Sequence, residues 1–130
     1  MKGKNKMMTK QISIYLENKP GQLAEICRAL AKNDVNIAAL SLADTAEFGI
    51  VRMIVDDHVK GCRILSDAGY PVVQTDVVVT TVPDRPGGMA ELMERIDRAG
   101  VDIKYSYAYA LGNAEKAILV FSFDNNEKGA

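Results

Sequence analysis

One segment of this chain occurs twice, and that constrains its fold more than any other feature. Lys19-Pro20-Gly21-Gln22-Leu23-Ala24-Glu25-Ile26 returns 66 residues later as Arg85-Pro86-Gly87-Gly88-Met89-Ala90-Glu91-Leu92. The same offset carries Val35-Asn36-Ile37 onto Val101-Asp102-Ile103. Ile50–Asp56 then matches Ile118–Asp124 at an offset of 68, a slip that two extra residues in Leu111–Glu115 explain. A single Pro-Gly match arises easily by chance. A collinear set across most of a copy marks a duplication.

Both copies read in the same order. Gln11–Glu17 alternates Ile12, Ile14 and Leu16 with polar neighbours, the pattern of a half-buried strand. Pro20-Gly21 interrupts it, and Leu23, Ile26 and Leu30 then form the apolar stripe of a helix reaching Lys32. Asn36–Ala43 and Ile50–Val55 read as two strands around a turn at Asp44–Gly49. Val59–Ala68 predicts a second helix closed by Gly69, and Pro71–Val73 begins a last strand. The second copy supplies a strand at Val77–Val82, a helix at Gly88–Arg98, and strands at Asp102–Ala110 and Ile118–Phe123. It stops at Glu127–Ala130, which matches only the start of the second helix of the first copy.

The expected fold is therefore α+β, with two ferredoxin-like βαββαβ units built on antiparallel sheets with helices on one face. Residues 10–75 form the first domain and 76–130 the second, which lacks its last helix and strand. No Gly or Pro interrupts Val72–Val82, so a flexible linker is not expected between the copies. The incomplete second copy should expose a strand edge unless the first copy or a partner chain covers it; a truncated end at Ala130 is the alternative.

Composition removes several classes. Lys and Arg number 16 against 17 Asp and Glu, a net charge of −1, whereas a phosphate-backbone binder needs a basic face. An RNA-recognition module stacks bases on strand aromatics. Here Phe48-Gly49-Ile50-Val51-Arg52 presents aliphatic residues instead, and Phe121 and Phe123 read as core. Cys27 and Cys62 form no Cys-x-x-Cys, which argues against a structural zinc site or a disulfide scaffold. His58, beside Asp56-Asp57, reads as a helix-start residue rather than a base. Glu25 and Glu91 suit the first turn of a helix better than acid–base catalysis. No catalytic set, metal site or cofactor is expected. No apolar run approaches the roughly 20 residues that span a bilayer. The basic start Met1–Lys6 leads into no signal-type stretch, so the expected location is the cytoplasm.

The Pro-Gly elements carry chemistry. A helix starting near Gly21 leaves its first amides without intrahelical acceptors, at the positive end of the helix dipole. A small carboxylate docks well there. Asn18 and Asp84, at matching positions before the proline, can accept from an ammonium group. A ligand bearing both groups, an amino acid, suits such a loop. The competing reading is a plain strand-to-helix turn.

Asn18–Ile26, Val35-Asn36-Ile37 and Phe48–Asp56 resemble the ACT domain family, and Asp84–Leu92 with Val101-Asp102-Ile103 resembles a second member. The likeness spans about residues 10 to 128 and extends to free-standing tandem ACT proteins of bacteria. It implies a non-catalytic regulatory module whose paired domains bind a small effector, commonly an amino acid, against the turn before the first helix. Carried onto this chain, the contacts are Asn18, Pro20, Gly21, Gln22 and Leu23, then Asp84, Pro86, Gly87, Gly88 and Met89. Ala39-Leu40-Ser41 or Tyr105-Ser106-Tyr107 would complete the pocket from the second strand. Asp84 in place of Asn18 makes the two sites unequal. A homodimer is the expected assembly, with neither nucleic acid nor membrane as partner. The alternative is a ligand-free interaction or oligomerisation module associated with an enzyme of amino-acid metabolism.

Overall fold

The computed structural model describes residues 6–17, 19–44, 48–110 and 116–123. The elements run β1 (Lys6–Glu17), α1 (Gln22–Lys32), β2 (Ile37–Asp44), β3 (Phe48–Val55), α2 (His58–Asp67), β4 (Val72–Pro83), α3 (Gly88–Ala99), β5 (Ile103–Ala110) and β6 (Lys116–Phe123). The α+β architecture with antiparallel strands is as the repeat predicts. The inserted loop Leu111–Glu115, the middle of the Asp44–Gly49 turn and the tail after Phe123 lie outside the described residues. The chain divides into two compact units, one of Lys10–Thr75 and one of Asp76–Ala130 together with Met1–Thr9.

In the first unit the strand order is β2-β3-β1-β4, with β1 entering as Lys10–Glu17 and β4 as Val72–Thr75. β1 and β3 are antiparallel, pairing Ile12 with Met53 and Ile14 with Val51. Pairing residues share a face, so Ile12, Ile14, Leu16, Val51, Met53 and Val55 turn together toward the helices. Ile26 and Leu30 of α1 and Leu65 of α2 close over them, and most of these side chains are fully buried. α2 lies close on the sheet because Gly61 has no side chain: a Cβ there would sit 3.2 Å from Ile12 Cδ1 and 3.3 Å from Val55 Cγ2. α1 ends where Asp34 turns left-handed, at φ 62°, with the Asn33 side-chain Nδ2 donating to the Ala29 carbonyl at 2.9 Å. α2 starts at an N-cap, Asp57, whose carboxylate accepts from the Lys60 amide at 3.0 Å. Loss of such a cap costs about 1 kcal/mol, and Asp57→Ala should show that loss in a urea unfolding curve.

In the second unit the order is β1-β4-β6-β5, with Lys6–Thr9 of β1 beside Asp76–Pro83 of β4. That place belongs, in the first unit, to the closing strand. The strand missing from the second copy is thus replaced by the start of the chain, and the edge expected to need a cover has one within the protein. Val78, Val82, Leu119, Phe121 and Phe123 pack beneath Leu92 and Ile96 of α3.

Two elements run longer than periodicity predicts. β1 begins at Lys6 rather than Gln11, and β4 runs unbroken through Gln74-Thr75-Asp76, as the lack of Gly or Pro across Val72–Val82 suggests. Neither extension alternates apolar and polar residues; neighbouring strands supply their ladder partners, which is a tertiary effect.

Candidate functional site

Both Pro-Gly turns adopt the same backbone. Gly21 has φ 87° and ψ −10°, and Gly87 has φ 89° and ψ −17°; each is the N-cap of its helix, and no side chain caps either. An L-residue in this left-handed region costs roughly 1–2 kcal/mol, so glycine is required at both turns. The Glu25 amide bonds to the Gly21 carbonyl at 3.0 Å, and the Glu91 amide to the Gly87 carbonyl at 3.0 Å, which opens each helix. The amides before that bond have no intrahelical acceptor, although at the second turn the Gly88 amide donates to the Arg85 carbonyl at 3.1 Å.

The surroundings of the two turns differ. At Gly21 nothing among the described residues lies within 4 Å of where a Cβ would stand. Two cavities flank this loop. The larger, about 450 Å³, is lined by Tyr15, Leu16, Glu17, Lys19, Gln22, Phe48, Gly69, Tyr70 and Pro71. The smaller, about 180 Å³, is lined by Leu16, Glu17, Lys19, Gly21, Leu23, Ala24, Leu42 and Gly49. Glu17 and Lys19 border both and form an ion pair at 2.7 Å, which raises the Lys19 ammonium above its usual value. Gln22 Oε1 is shut off from solvent and accepts no hydrogen bond from the described residues.

At the second turn the chain fills its own space. A Cβ on Gly88 would come 2.3 Å from the Pro83 carbonyl oxygen, so helix and strand end touch there. The Arg85 guanidinium folds back over the turn: Nη1 donates to the Pro86 carbonyl at 3.4 Å, and Nη2 meets Glu91 Oε1 at 3.5 Å. The same nitrogen, Nη1, would lie 3.9 Å from a Cβ on Gly87. Lys19, the counterpart of Arg85, turns instead to Glu17 and leaves the first turn open.

The expected site residues are distributed accordingly. Gly21, Gln22 and Leu23 line the two cavities, whereas Pro20 is exposed and lines neither. Asn18 lies outside the described residues. Ala39 is buried, Leu40 exposed and Ser41 half-buried; their strand contributes Leu42 to the smaller cavity rather than these three. Asp84, Pro86, Gly87 and Met89 are exposed around the closed second turn, and Gly88 is buried in it. Tyr105 and Tyr107 are half-buried and Ser106 exposed on β5, in the second unit.

Periodicity missed Tyr15, Phe48 and the Gly69-Tyr70-Pro71 connection. Tyr15 offered a signal, an aromatic ring on the polar side of an alternating strand, left 46% exposed. Tyr70 had none, because only the fold brings the end of α2 beside α1. Partial burial, then the neighbouring Glu25 carboxylate that accepts its hydroxyl, push the Tyr70 phenol above its ordinary 10.0. A raised phenol stabilises the fold below the unfolded value, and that contribution disappears as pH climbs through the raised one. Tyr70→Phe should therefore flatten the loss of stability above about pH 10, read from urea midpoints across the alkaline range.

Among the described residues no three His, Cys, Asp or Glu side chains group to hold a metal ion. Cys27 and Cys62 are free thiols. Burial raises the Cys62 thiol, partly offset by a hydrogen bond from Gln74, which makes it a poor nucleophile. His58 Nδ1 donates to Gln74 Oε1 at 2.9 Å at the start of α2. No helix among the described residues is long and apolar enough to cross a membrane. The arrangement can hold a small molecule.

Comparison with known proteins agrees with this architecture. The family model for an ACT domain pair matches residues 7–130. A crystallised protein from Bacteroides thetaiotaomicron superposes with a TM-score of 0.88 at 40% sequence identity, covering 96% of this chain and 85% of that one. The ligand-free regulatory subunit of aspartate kinase from Thermus thermophilus shares the fold, with a TM-score of 0.65 at 12% identity and coverage of 91% and 87%. Its counterpart from Thermus flavus gives 0.65 at 14% identity, covering 91% and 86%. No protein with a curated description matches the sequence. A duplicated Pro-Gly turn, a ferredoxin-like unit around each copy and a family match over nearly the whole length lead to one assignment: the chain belongs to the family of ACT domain pairs.

Proposed function

We propose that this protein is a non-catalytic regulator of the cytoplasm that senses an amino acid at the turn of its first unit. One observation carries the reading: the uncapped amides after Gly21 open beside cavities bordered by the Glu17–Lys19 ion pair. A zwitterion matches that set. Its carboxylate takes the helix amides and the Lys19 ammonium, and its ammonium takes the Glu17 carboxylate. The thermophile relatives named above are regulatory subunits, which is consistent with a role in controlling another protein. The effector can shift a target by no more than its differential affinity for two arrangements of the regulator.

A thermal-shift screen of the twenty amino acids tests this. A ligand at a hundred times its dissociation constant adds about 2.7 kcal/mol, which at about 2–8 °C per kcal/mol raises the midpoint of a domain this size by about 5–20 °C. No shift at millimolar concentrations would favour the second reading, a ligand-free module that assembles with itself or with an enzyme of amino-acid metabolism. Large apolar side chains left in water around the same end, Leu42 at 52% and Phe48 at 56%, support that second reading. A homodimer is consistent with either and is checked by sedimentation.

A further inference from the structure

We infer that the effector is an aromatic amino acid, its ring held in the larger cavity of the first unit; this rests on the amino-acid-sensing reading above. Size separates the two cavities first. Small-molecule sites run to about 300–1,000 Å³, and only the 450 Å³ cavity reaches that range. The 180 Å³ cleft on the Gly21 side has room for little more than a head group.

The lining then selects the side chain. Three rings converge from three separate segments: Tyr15 from β1, Phe48 from the start of β3, and Tyr70 from the connection after α2. Leu16 and Pro71 add apolar surface, and Tyr15 and Phe48 keep 46% and 56% of their area in water. A planar ring entering here removes that area from water and meets rings it can stack against or meet edge-on. The polar groups sit at the loop end, where a zwitterionic head would be: Glu17, Lys19 and Gln22. Gln22 Oε1 has no partner among the described residues and its side chain borders this cavity, so a ligand ammonium N–H that reached it would satisfy it. A charged or strongly polar ligand side chain would exchange water for ring faces, and gain less there than an aromatic ring does. Such ligands are therefore expected to bind more weakly than aromatic ones.

Isothermal titration of the intact chain with L-phenylalanine, L-tyrosine and L-tryptophan, against L-serine, L-aspartate and L-lysine, tests the inference. At least one aromatic amino acid should bind tightest. Phe48→Ala, at an exposed position that leaves the core intact, should weaken that binding about tenfold, the scale of one or two ring contacts. Tightest binding of serine, aspartate or lysine would overturn the aromatic assignment while leaving the sensor reading in place. Aromatic binding untouched by Phe48→Ala would also overturn it, because the ring would then sit elsewhere. If none of the six binds, the aromatic assignment fails; if none of the twenty raises the thermal midpoint either, the sensor reading fails with it.

Discussion

Replacing Phe121 with alanine is expected to cost about 3–5 kcal/mol of stability, the range for a fully buried ring. Phe121 is 1% exposed and stacks on Phe123, with ring centroids 5.3 Å apart and planes 14° from parallel. Both rings point to the helix-covered face of the second unit, against Leu92 and Ile96. The position also decides between two uses of strand aromatics. A ring presented for base stacking lies on the open face, and its loss would move stability by no more than about 0.5 kcal/mol. Urea unfolding of Phe121→Ala therefore separates a core residue from a nucleic-acid platform, and the geometry places it in the core.

Gly88→Ala is the second large expected loss, and its sign runs against helix propensity. Alanine for glycine within a helix ordinarily gains about 1 kcal/mol. Here the new Cβ would lie 2.3 Å from the Pro83 carbonyl oxygen, a backbone atom that can move only with its strand. Overpacking of this kind costs about 1–3 kcal/mol and sometimes more, and against a hard backbone contact the upper end applies, so with the propensity gain set against it a net loss of about 1–2 kcal/mol is expected in chemical denaturation. The matching position of the first unit is Gln22, which carries a full side chain without difficulty. The contrast at one repeat position is the clearest physical sign that the two turns, alike in backbone, are not alike in use. Substituting Gly21 or Gly87 would be a poorer probe, because any side chain there strains a left-handed backbone whether or not a ligand approaches.

Much of this architecture was legible because the repeat and the two periodicities agree. Ile12, Ile14 and Leu16 announced a strand face and Ile26 with Leu30 a helix stripe, and these same residues form the first core. The Pro-Gly turns were legible because glycine and proline act locally, through φ and a missing amide donor. What escaped depends on distant pairing. Lys6–Thr9 looks like a polar tail until β4 lies beside it, and nothing in its own pattern says that it closes the second unit. The larger cavity escaped for the same reason, since Tyr15, Phe48 and Tyr70 are far apart in sequence and no periodicity unites them. The inequality of the two turns was foreshadowed by Asp84 in place of Asn18, yet its physical cause lies in Gly88 and Arg85. Only coordinates reveal that one packs on Pro83 and the other folds over its own turn.

The central claim is that the first turn receives the effector and the second does not. Calorimetric stoichiometry, measured with whichever amino acid most raises the thermal midpoint, tests it most directly. One molecule per chain is predicted, with Lys19→Ala and Gln22→Ala weakening the binding and Asp84→Ala leaving it unchanged. Two equivalent molecules per chain, or binding abolished by Asp84→Ala and indifferent to Lys19→Ala and Gln22→Ala, would contradict it.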